Sequence, residues 1–166
     1  MFSQDWPEIR RMIALARRRF PNIPIVAGGE HITAVADFTL DSTPEVDVCA
    51  IGEGEETIVD LATAVDRGSS FDTVPGLVVR ADGGTRTTGA RARIRNIDDI
   101  PLPAWDLVPL ENYLDHGLGY GVNRGRSMPM LATRGCPYEC TFGSNPEMWT
   151  SRWVARNPGQ VLDEIQ

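Results

Sequence analysis

The opening segment of the chain places its apolar residues at the spacing of one helix face. A helix is predicted to begin after Asp5, with Pro7 in its first turn and Glu8 three residues after the cap, and to end at Pro21. The opposite face is rich in arginine, and we expect that face to be solvated. The apolar positions are Ile9, Met12, Ile13, Ala16 and Phe20, and the arginines are Arg10, Arg11, Arg17 and Arg18.

Two short continuous apolar runs, over 23–27 and 46–51, predict buried strands. The first run stops at Gly28-Gly29 and the second stops at a glycine- and glutamate-rich turn. Runs buried on both faces are typical of parallel strands. Weakly helical residues 32–40 and amphipathic residues 57–65 alternate with the runs. The order of helices and strands therefore predicts an α/β fold with a partial, Rossmann-like parallel sheet.

The second half of the chain is less regular. Segments 76–80 and 85–94 flank Asp-Gly-Gly, which is a hairpin signal. We predict a partial Rossmann-like domain over 1–94, a proline-rich linker over 95–127 that is loop from residue 111, and the start of a second domain over 128–166. That second domain should open with a strand over 127–133 and end in a helix from Asn157. Two parallel strands are too few for a complete doubly wound domain, so we expect a fragment that lacks residues at both ends.

Composition and charge narrow the class of protein. Hydrophobic residues make up 42% and charged residues 23%, as in ordinary globular proteins. The net charge is −7 and neither half is basic, so the chain lacks the electrostatic signature of a nucleic-acid binder. No apolar run approaches the length of a membrane span, and the N-terminus lacks signal-peptide features. A cytoplasmic location is the expectation.

Three cysteines in a chain without a secretion signal argue against a disulfide framework. Cys49 lies within the second apolar run and is predicted to be a buried thiol. Cys136 and Cys140 stand four apart, and Gly143 stands where a third cysteine would complete Cys-x3-Cys-x2-Cys. A zinc or redox site is the less favoured alternative, because the Cys-x2-Cys spacing and a second ligand pair are both missing.

The run Arg-Gly-Cys-Pro-Tyr-Glu-Cys-Thr-Phe at 134–142 resembles the cluster loop of the radical S-adenosylmethionine (radical SAM) enzymes. The resemblance implies that Cys136 and Cys140 are thiolate ligands of a [4Fe–4S] cluster whose open iron binds S-adenosylmethionine. It also implies that Phe142 packs near the adenine of that cofactor. Gly143 departs from the family pattern and removes one of the three thiolates.

Residues 25–33 and 46–57 resemble two strands and turns of the cobalamin-binding domain that precedes the radical SAM domain in one large family. Residues 100–106, Ile-Pro-Leu-Pro-Ala-Trp-Asp, are similar to the linker of that family. The four motifs occur in the family's order and cover nearly the whole chain. The resemblance implies that residues 128–166 are the first β/α unit of a radical SAM partial TIM barrel, which is truncated here. The cobalamin-binding residues that the resemblance implies are Gly28, Gly29, Glu30, His31, Gly52, Glu53, Gly54 and Glu55.

The residues themselves are compatible with such a site. Ligands of open α/β sheets bind outside the carboxyl ends of the strands, where both glycine turns fall, and glycine lets backbone approach a bulky ligand. Glu53, Glu55 and Glu56 would repel a phosphate but could accept hydrogen bonds from ribose or amide groups. The alternative for Glu55 and Glu56 is that they only complement the helix dipole. We predict that His31 caps the following helix and does not bind cobalt.

The resemblance implies a cobalamin-dependent radical SAM enzyme that cleaves S-adenosylmethionine reductively and transfers a methyl group, or forms a ring, at an unactivated carbon of a small molecule. A flavodoxin- or ferredoxin-type electron donor is expected as partner. The chain offers no catalytic residue of its own, and we expect it to be inactive as it stands. The alternative is a non-catalytic module that binds cobalamin or a protein partner.

Overall fold

The computed structural model describes residues 3–118, 125–141, 143 and 151–165. The chain divides into two compact units. The first comprises Met1–Ile94 with Cys136–Arg152, and the second comprises Arg95–Gly135 with Trp153–Gln166. Within the described residues, none of the helices is both long enough and apolar enough to span a bilayer.

A mixed sheet forms the centre of the first unit. Its strands are β1 (Val26–Gly28), β2 (Val48–Ala50), β3 (Leu77–Ala81) and β4 (Gly84–Thr87), in that spatial order. β1 and β2 are parallel, whereas β2–β3 and β3–β4 are antiparallel. The α/β class and the hairpin are confirmed. The expectation of a parallel sheet holds for one strand pair only, because the hairpin itself supplies the next two strands.

Among the described residues of this unit, three α-helices cover the sheet: α1 (Trp6–Arg19), α2 (Glu30–Ser42) and α3 (Glu55–Arg67). Short 3-10 helices lie at Ser3–Asp5 and Phe71–Thr73. The helix start after Asp5 is confirmed, but the Asp5 side chain makes no capping hydrogen bond. α2 is interrupted at Val35, whose backbone is not helical, which agrees with the weak helical signal of this stretch.

The core lies on both faces of the sheet, because neighbouring strand residues point to opposite sides. On one face Cys49 and Val78 pack with Trp6 and with apolar residues of α2. On the other face Val48, Leu77 and Val79 pack with residues of α3. The first cluster is Trp6, Ala27, Ile32, Ala36, Leu40, Val46, Cys49 and Val78, and the second is Val48, Leu61, Ala64, Val74, Leu77 and Val79.

Arg17 corrects the prediction of a wholly solvated arginine face on α1. Its guanidinium donates to the carbonyls of Pro21, Ile23 and Glu45 at 2.9–3.0 Å and pairs with the Asp47 carboxylate. Asp47 also accepts from the backbone N–H of Ile25 at 2.6 Å. Arg17 therefore joins the end of α1 to the segments that enter β1 and β2. Helical spacing alone could not distinguish it from the exposed Arg18.

The second unit contains α4 (Leu110–Asp115), β5 (Thr133–Arg134), β6 (Val154–Ala155) and α5 (Pro158–Ile165), with 3-10 helices at Ile97–Asp99 and Trp105–Leu107. The helix predicted from Asn157 is confirmed. The prediction of loop from residue 111 is wrong for α4.

The strand predicted over 127–133 is also wrong in extent. Only Thr133 and Arg134 pair, and they pair antiparallel with β6. Pro129 lacks the N–H that a strand ladder requires. Leu131, in the middle of the stretch, is 52% exposed.

Candidate functional site

Two glycine turns meet at one edge of the sheet. β1 and β2 are parallel with Gly28 opposite Ala50, so the turns that follow them leave the sheet on the same side. The N–H of Gly52 in the second turn donates to the Thr33 hydroxyl of α2 at 3.1 Å. The structure thus places the eight predicted cobalamin-binding residues, four at the end of each strand and in the turn that follows it, at the same edge: Gly28, Gly29, Glu30, His31, Gly52, Glu53, Gly54 and Glu55.

The glycines leave this edge open to the approach of a large ligand. A Cβ placed at Gly52 or Gly54 would have no heavy atom within 4 Å. Gly52 has φ +74° and Gly29 has φ +103°, conformations that favour glycine. At Gly28 a Cβ would lie 3.6 Å from the Ala50 carbonyl oxygen, which is ordinary contact. Bare backbone at Gly52 and Gly54 is what a bulky ligand such as cobalamin would require.

Both helices that leave the edge begin there with glycine as the N-cap residue, Gly29 for α2 and Gly54 for α3. The first N–H groups of a helix have no acceptor within the helix, and glycine brings no side-chain oxygen to cap them. Two helix N-termini therefore lie at this edge. Glu30 and Glu55 stand in the first turns and add carboxylates beside them.

Glu53 lies in the middle of the second turn but is only 7% exposed. Its carboxylate accepts the backbone N–H of Ile94 at 2.6 Å and faces Arg93 Nε at 3.4 Å. The Glu53 carbonyl accepts from the Thr57 hydroxyl at 3.2 Å. Sequence reasoning missed Arg93 and Ile94 because about forty residues separate them from the turn, and no motif marks them.

His31 occupies the first turn of α2, where its Nδ1 is 2.9 Å from the Ser3 hydroxyl and its ring lies 4.8 Å from the Trp6 ring. The prediction that His31 caps its own helix is therefore wrong, because Gly29 is the N-cap and the ring turns toward the start of the chain. Burial lowers the pKa of His31 below its usual value.

The cysteines fall into two groups. Cys49 is buried in β2, and desolvation raises the pKa of its thiol to about 12. Cys136 is half-buried and Cys140 is exposed. The Gly143 N–H donates to the Cys140 carbonyl at 3.1 Å, which closes a turn. Phe142, the predicted adenine contact, lies outside the described residues.

The cluster loop offers an incomplete donor set. A [4Fe–4S] cluster in a radical SAM site takes three thiolates, and the loop supplies two. Among the residues that the structure describes, no group of three His, Cys, Asp or Glu side chains is arranged to hold a metal ion. Two thiolates do not complete a cluster site, whereas the free space at Gly52 and Gly54 is compatible with a bulky ligand.

Comparison with known proteins agrees with the glycine edge. Residues 1–62 match the B12 binding domain family. The chain is 31% identical, over 91% of its length, to an uncharacterised methyltransferase of Pyrococcus horikoshii. It is 34% identical, over 93% of its length, to the anaerobic magnesium-protoporphyrin IX monomethyl ester cyclase of Cereibacter sphaeroides. It is 33% identical, over 80% of its length, to the cobalamin-dependent radical SAM methyltransferase TokK of Streptomyces tokunonensis.

Solved structures share the fold. OxsB, a cobalamin-dependent S-adenosylmethionine radical enzyme solved with aqua-cobalamin and S-adenosylmethionine, matches 97% of the chain with a TM-score of 0.74 at 19% identity. TsrM of Kitasatospora setae, a radical S-adenosylmethionine methyltransferase solved with cobalamin and a [4Fe–4S] cluster, matches 97% with a TM-score of 0.67 at 22% identity. The chain covers 21% of OxsB and 31% of TsrM.

The fold and the glycine edge define a B12-binding-domain protein of the α/β class. More closely, residues 1–62 match the B12 binding domain family, and most of the chain is similar to part of a cobalamin-dependent radical SAM methyltransferase, of an uncharacterised methyltransferase and of a cyclase. It spans 31%, 24% and 19% of the three relatives' lengths, a third or less in each case.

Proposed function

We propose that the first unit binds cobalamin at the edge formed by the turns after β1 and β2. The observation that carries this proposal is the convergence of two glycine turns, the second of them open at Gly52 and Gly54, with two helix N-termini, all within the residues of the B12-domain match. Gly52 and Gly54 let the ligand reach the backbone. The first N–H groups of α2 and α3 donate to amide carbonyls of the ligand, and Glu30 and Glu55 accept from its amide or ribose donors.

We further propose that the chain is part of an enzyme that combines cobalamin with S-adenosylmethionine and an iron–sulfur cluster, and that acts on a small molecule. In an enzyme with the complete set of ligands, these groups would supply a cobalt methyl carrier and a 5′-deoxyadenosyl radical for methyl transfer or ring formation. The names of the relatives support this class of chemistry. A cytoplasmic location and a flavodoxin- or ferredoxin-type electron donor belong to the same proposal.

Gly143 favours a second candidate, a module that holds cobalamin without radical chemistry of its own. Cys136 and Cys140 leave a cluster one thiolate short. Under either candidate the chain itself is expected to be inactive in S-adenosylmethionine cleavage.

Calorimetric titration with hydroxocobalamin, followed in parallel by visible absorbance, tests the proposal. We expect saturable binding at one site with a dissociation constant of roughly micromolar or weaker, because the described residues offer two glycine turns to the ligand. Absence of heat and of spectral change up to millimolar cobalamin would refute cobalamin binding. Formation of 5′-deoxyadenosine by the reconstituted, dithionite-reduced chain would refute its inactivity.

A further inference from the structure

The second glycine turn is anchored from inside by Glu53. Its two neighbours, Gly52 and Gly54, face open space, yet the side chain of Glu53 is only 6% exposed. A carboxylate removed from water requires charge-assisted or hydrogen-bonded partners. Glu53 finds these in the Ile94 N–H at 2.6 Å and Arg93 Nε at 3.4 Å.

Arg93, which faces Glu53, also contacts a second distant segment of the chain. Arg93 Nη1 donates to the backbone carbonyl of Arg152 at 2.9 Å. The Arg93 side chain is 18% exposed, so its contact with Glu53 is shielded from solvent. One short chain of contacts therefore runs from the open turn, through Glu53 and Arg93, to two segments far away in sequence, all within the first unit.

The conformation of the turn depends on this anchor. Gly52 holds φ +74° and donates its N–H to Thr33, while Gly54 starts α3. Between these two fixed points Glu53 turns its side chain inward and so leaves the backbone of both glycines on the outer side. Without an inward partner, a charged carboxylate at this position would turn toward water and cover the open backbone.

We propose that Glu53 is a positioning residue that does not touch the ligand. It holds the Gly52–Gly54 turn open by binding Ile94 and Arg93, and it thereby couples ligand binding at the turn to the order of residues 93–94. The inference rests on the proposed cobalamin site. Because such coupling is reciprocal, cobalamin bound at the turn must also strengthen the contact between Glu53 and the Ile94 N–H.

Hydrogen exchange at the Ile94 amide and cobalamin affinity together test the proposal. In the unaltered chain, saturating hydroxocobalamin should slow Ile94 exchange several-fold. Glu53→Ala should weaken cobalamin binding about tenfold or more and abolish the cobalamin-dependent slowing at Ile94. Glu53→Gln keeps an acceptor oxygen for the N–H and should retain most of the affinity. That rescue would not occur if only the negative charge mattered.

Asp60→Ala is the matched control. Asp60 lies on α3, the helix that follows the turn, but its carboxylate pairs with Arg91 and not with a residue of the turn. The cobalamin affinity and the exchange rate of the Ile94 amide should therefore stay unchanged. If Glu53→Ala does not fold, Arg93→Met gives the second test, since it removes the arginine contact and leaves the turn intact, and it should reduce the slowing at Ile94.

Two results would overturn the inference without contradicting cobalamin binding. One is an unchanged cobalamin affinity in Glu53→Ala, and the other is an Ile94 exchange rate that does not change when cobalamin binds to the unaltered chain. Failure of the unaltered chain to bind cobalamin would instead refute the proposed function.

Discussion

Gly143 and Cys140 lie next to each other across a turn, and their Cβ positions would be as close as those of two disulfide-bonded cysteines. A Cβ placed at Gly143 would lie 3.9 Å from the Cys140 Cβ and 3.7 Å from the Cys140 carbonyl oxygen, both ordinary contacts. The backbone at 143 also lies outside the left-handed region. A third cysteine would therefore fit without displacing the loop, and only the residue type at this position departs from the family pattern.

Gly143→Cys should raise iron binding. With two thiolates in the loop, anaerobic treatment with iron and sulfide is expected to leave the unaltered chain without a stable cluster, whereas Gly143→Cys should approach about four irons per chain. Iron analysis and visible absorbance after desalting measure the difference.

Gly143→Ala adds the Cβ without the thiol and should behave as the unaltered chain does. The cysteine variant must be kept reduced, because a Cβ separation near 3.9 Å lies within the range of disulfides. Equal iron content in the unaltered chain and in Gly143→Cys would contradict the prediction.

Gly52→Ala should weaken cobalamin binding beyond its effect on stability. The added Cβ would stand on the open edge, and φ +74° makes any L-side chain strained there, by about 1–2 kcal/mol. Gly68→Ala is the control, since Gly68 has φ +60° and open surroundings but lies at the far end of α3. Urea unfolding should show similar losses for both variants, while calorimetry should show weaker binding only for Gly52→Ala. Equal affinities would argue against a ligand at this edge.

Cys49 should resist alkylation in the folded chain. Burial raises the pKa of its thiol from 9.0 to about 12, so the reactive thiolate is scarce at pH 8. Iodoacetamide followed by mass spectrometry should add two groups to the native chain and three after denaturation. Cys49→Ala should show two under both conditions, and three rapid additions to the native chain would be inconsistent with the buried thiol.

The raised pKa of Cys49 also determines the direction in which stability changes with pH. The unfolded chain loses the Cys49 proton near pH 9, whereas the folded chain holds it until about pH 12. The folded state therefore binds more protons in that window, and the Cys49 contribution to stability falls as the pH rises from 9 to 12. Below pH 9 its contribution should be constant. The free energy of unfolding of Cys49→Ala should lack this part of the alkaline decline.

Arg17→Ala should destabilise the chain by about 2–3 kcal/mol, because it leaves the Asp47 carboxylate and three backbone carbonyls without their shared donor. Arg17→Lys should recover only part of the loss, since an ammonium cannot reproduce the planar fork of donors. Arg18→Ala, on the exposed side of α1, should cost less than about 0.5 kcal/mol. Urea unfolding distinguishes the three variants, and equal losses at Arg17 and Arg18 would contradict the structural role of Arg17.

Local sequence pattern determined the order of elements in the first unit, the hairpin at Asp82-Gly83 and the burial of Cys49. Apolar periodicity reports which side of an element is buried, and glycine reports where backbone turns. Both signals act over a few residues, so the strands β1 and β2 and the turns after them were predictable from the sequence.

Contacts between distant segments were decided only by the tertiary structure. The attachment of the hairpin to β2, the anchoring of Glu53 on Ile94 and the Arg17–Asp47 pair join segments 27–41 residues apart. In the second unit Glu164, a surface position by pattern, receives the Trp105 indole N–H at 3.3 Å and pairs with Arg156. A charged side chain at such positions has the same local signature whether it is solvated or buried with a partner. Which of the two occurs depends on the backbone that folding brings beside it.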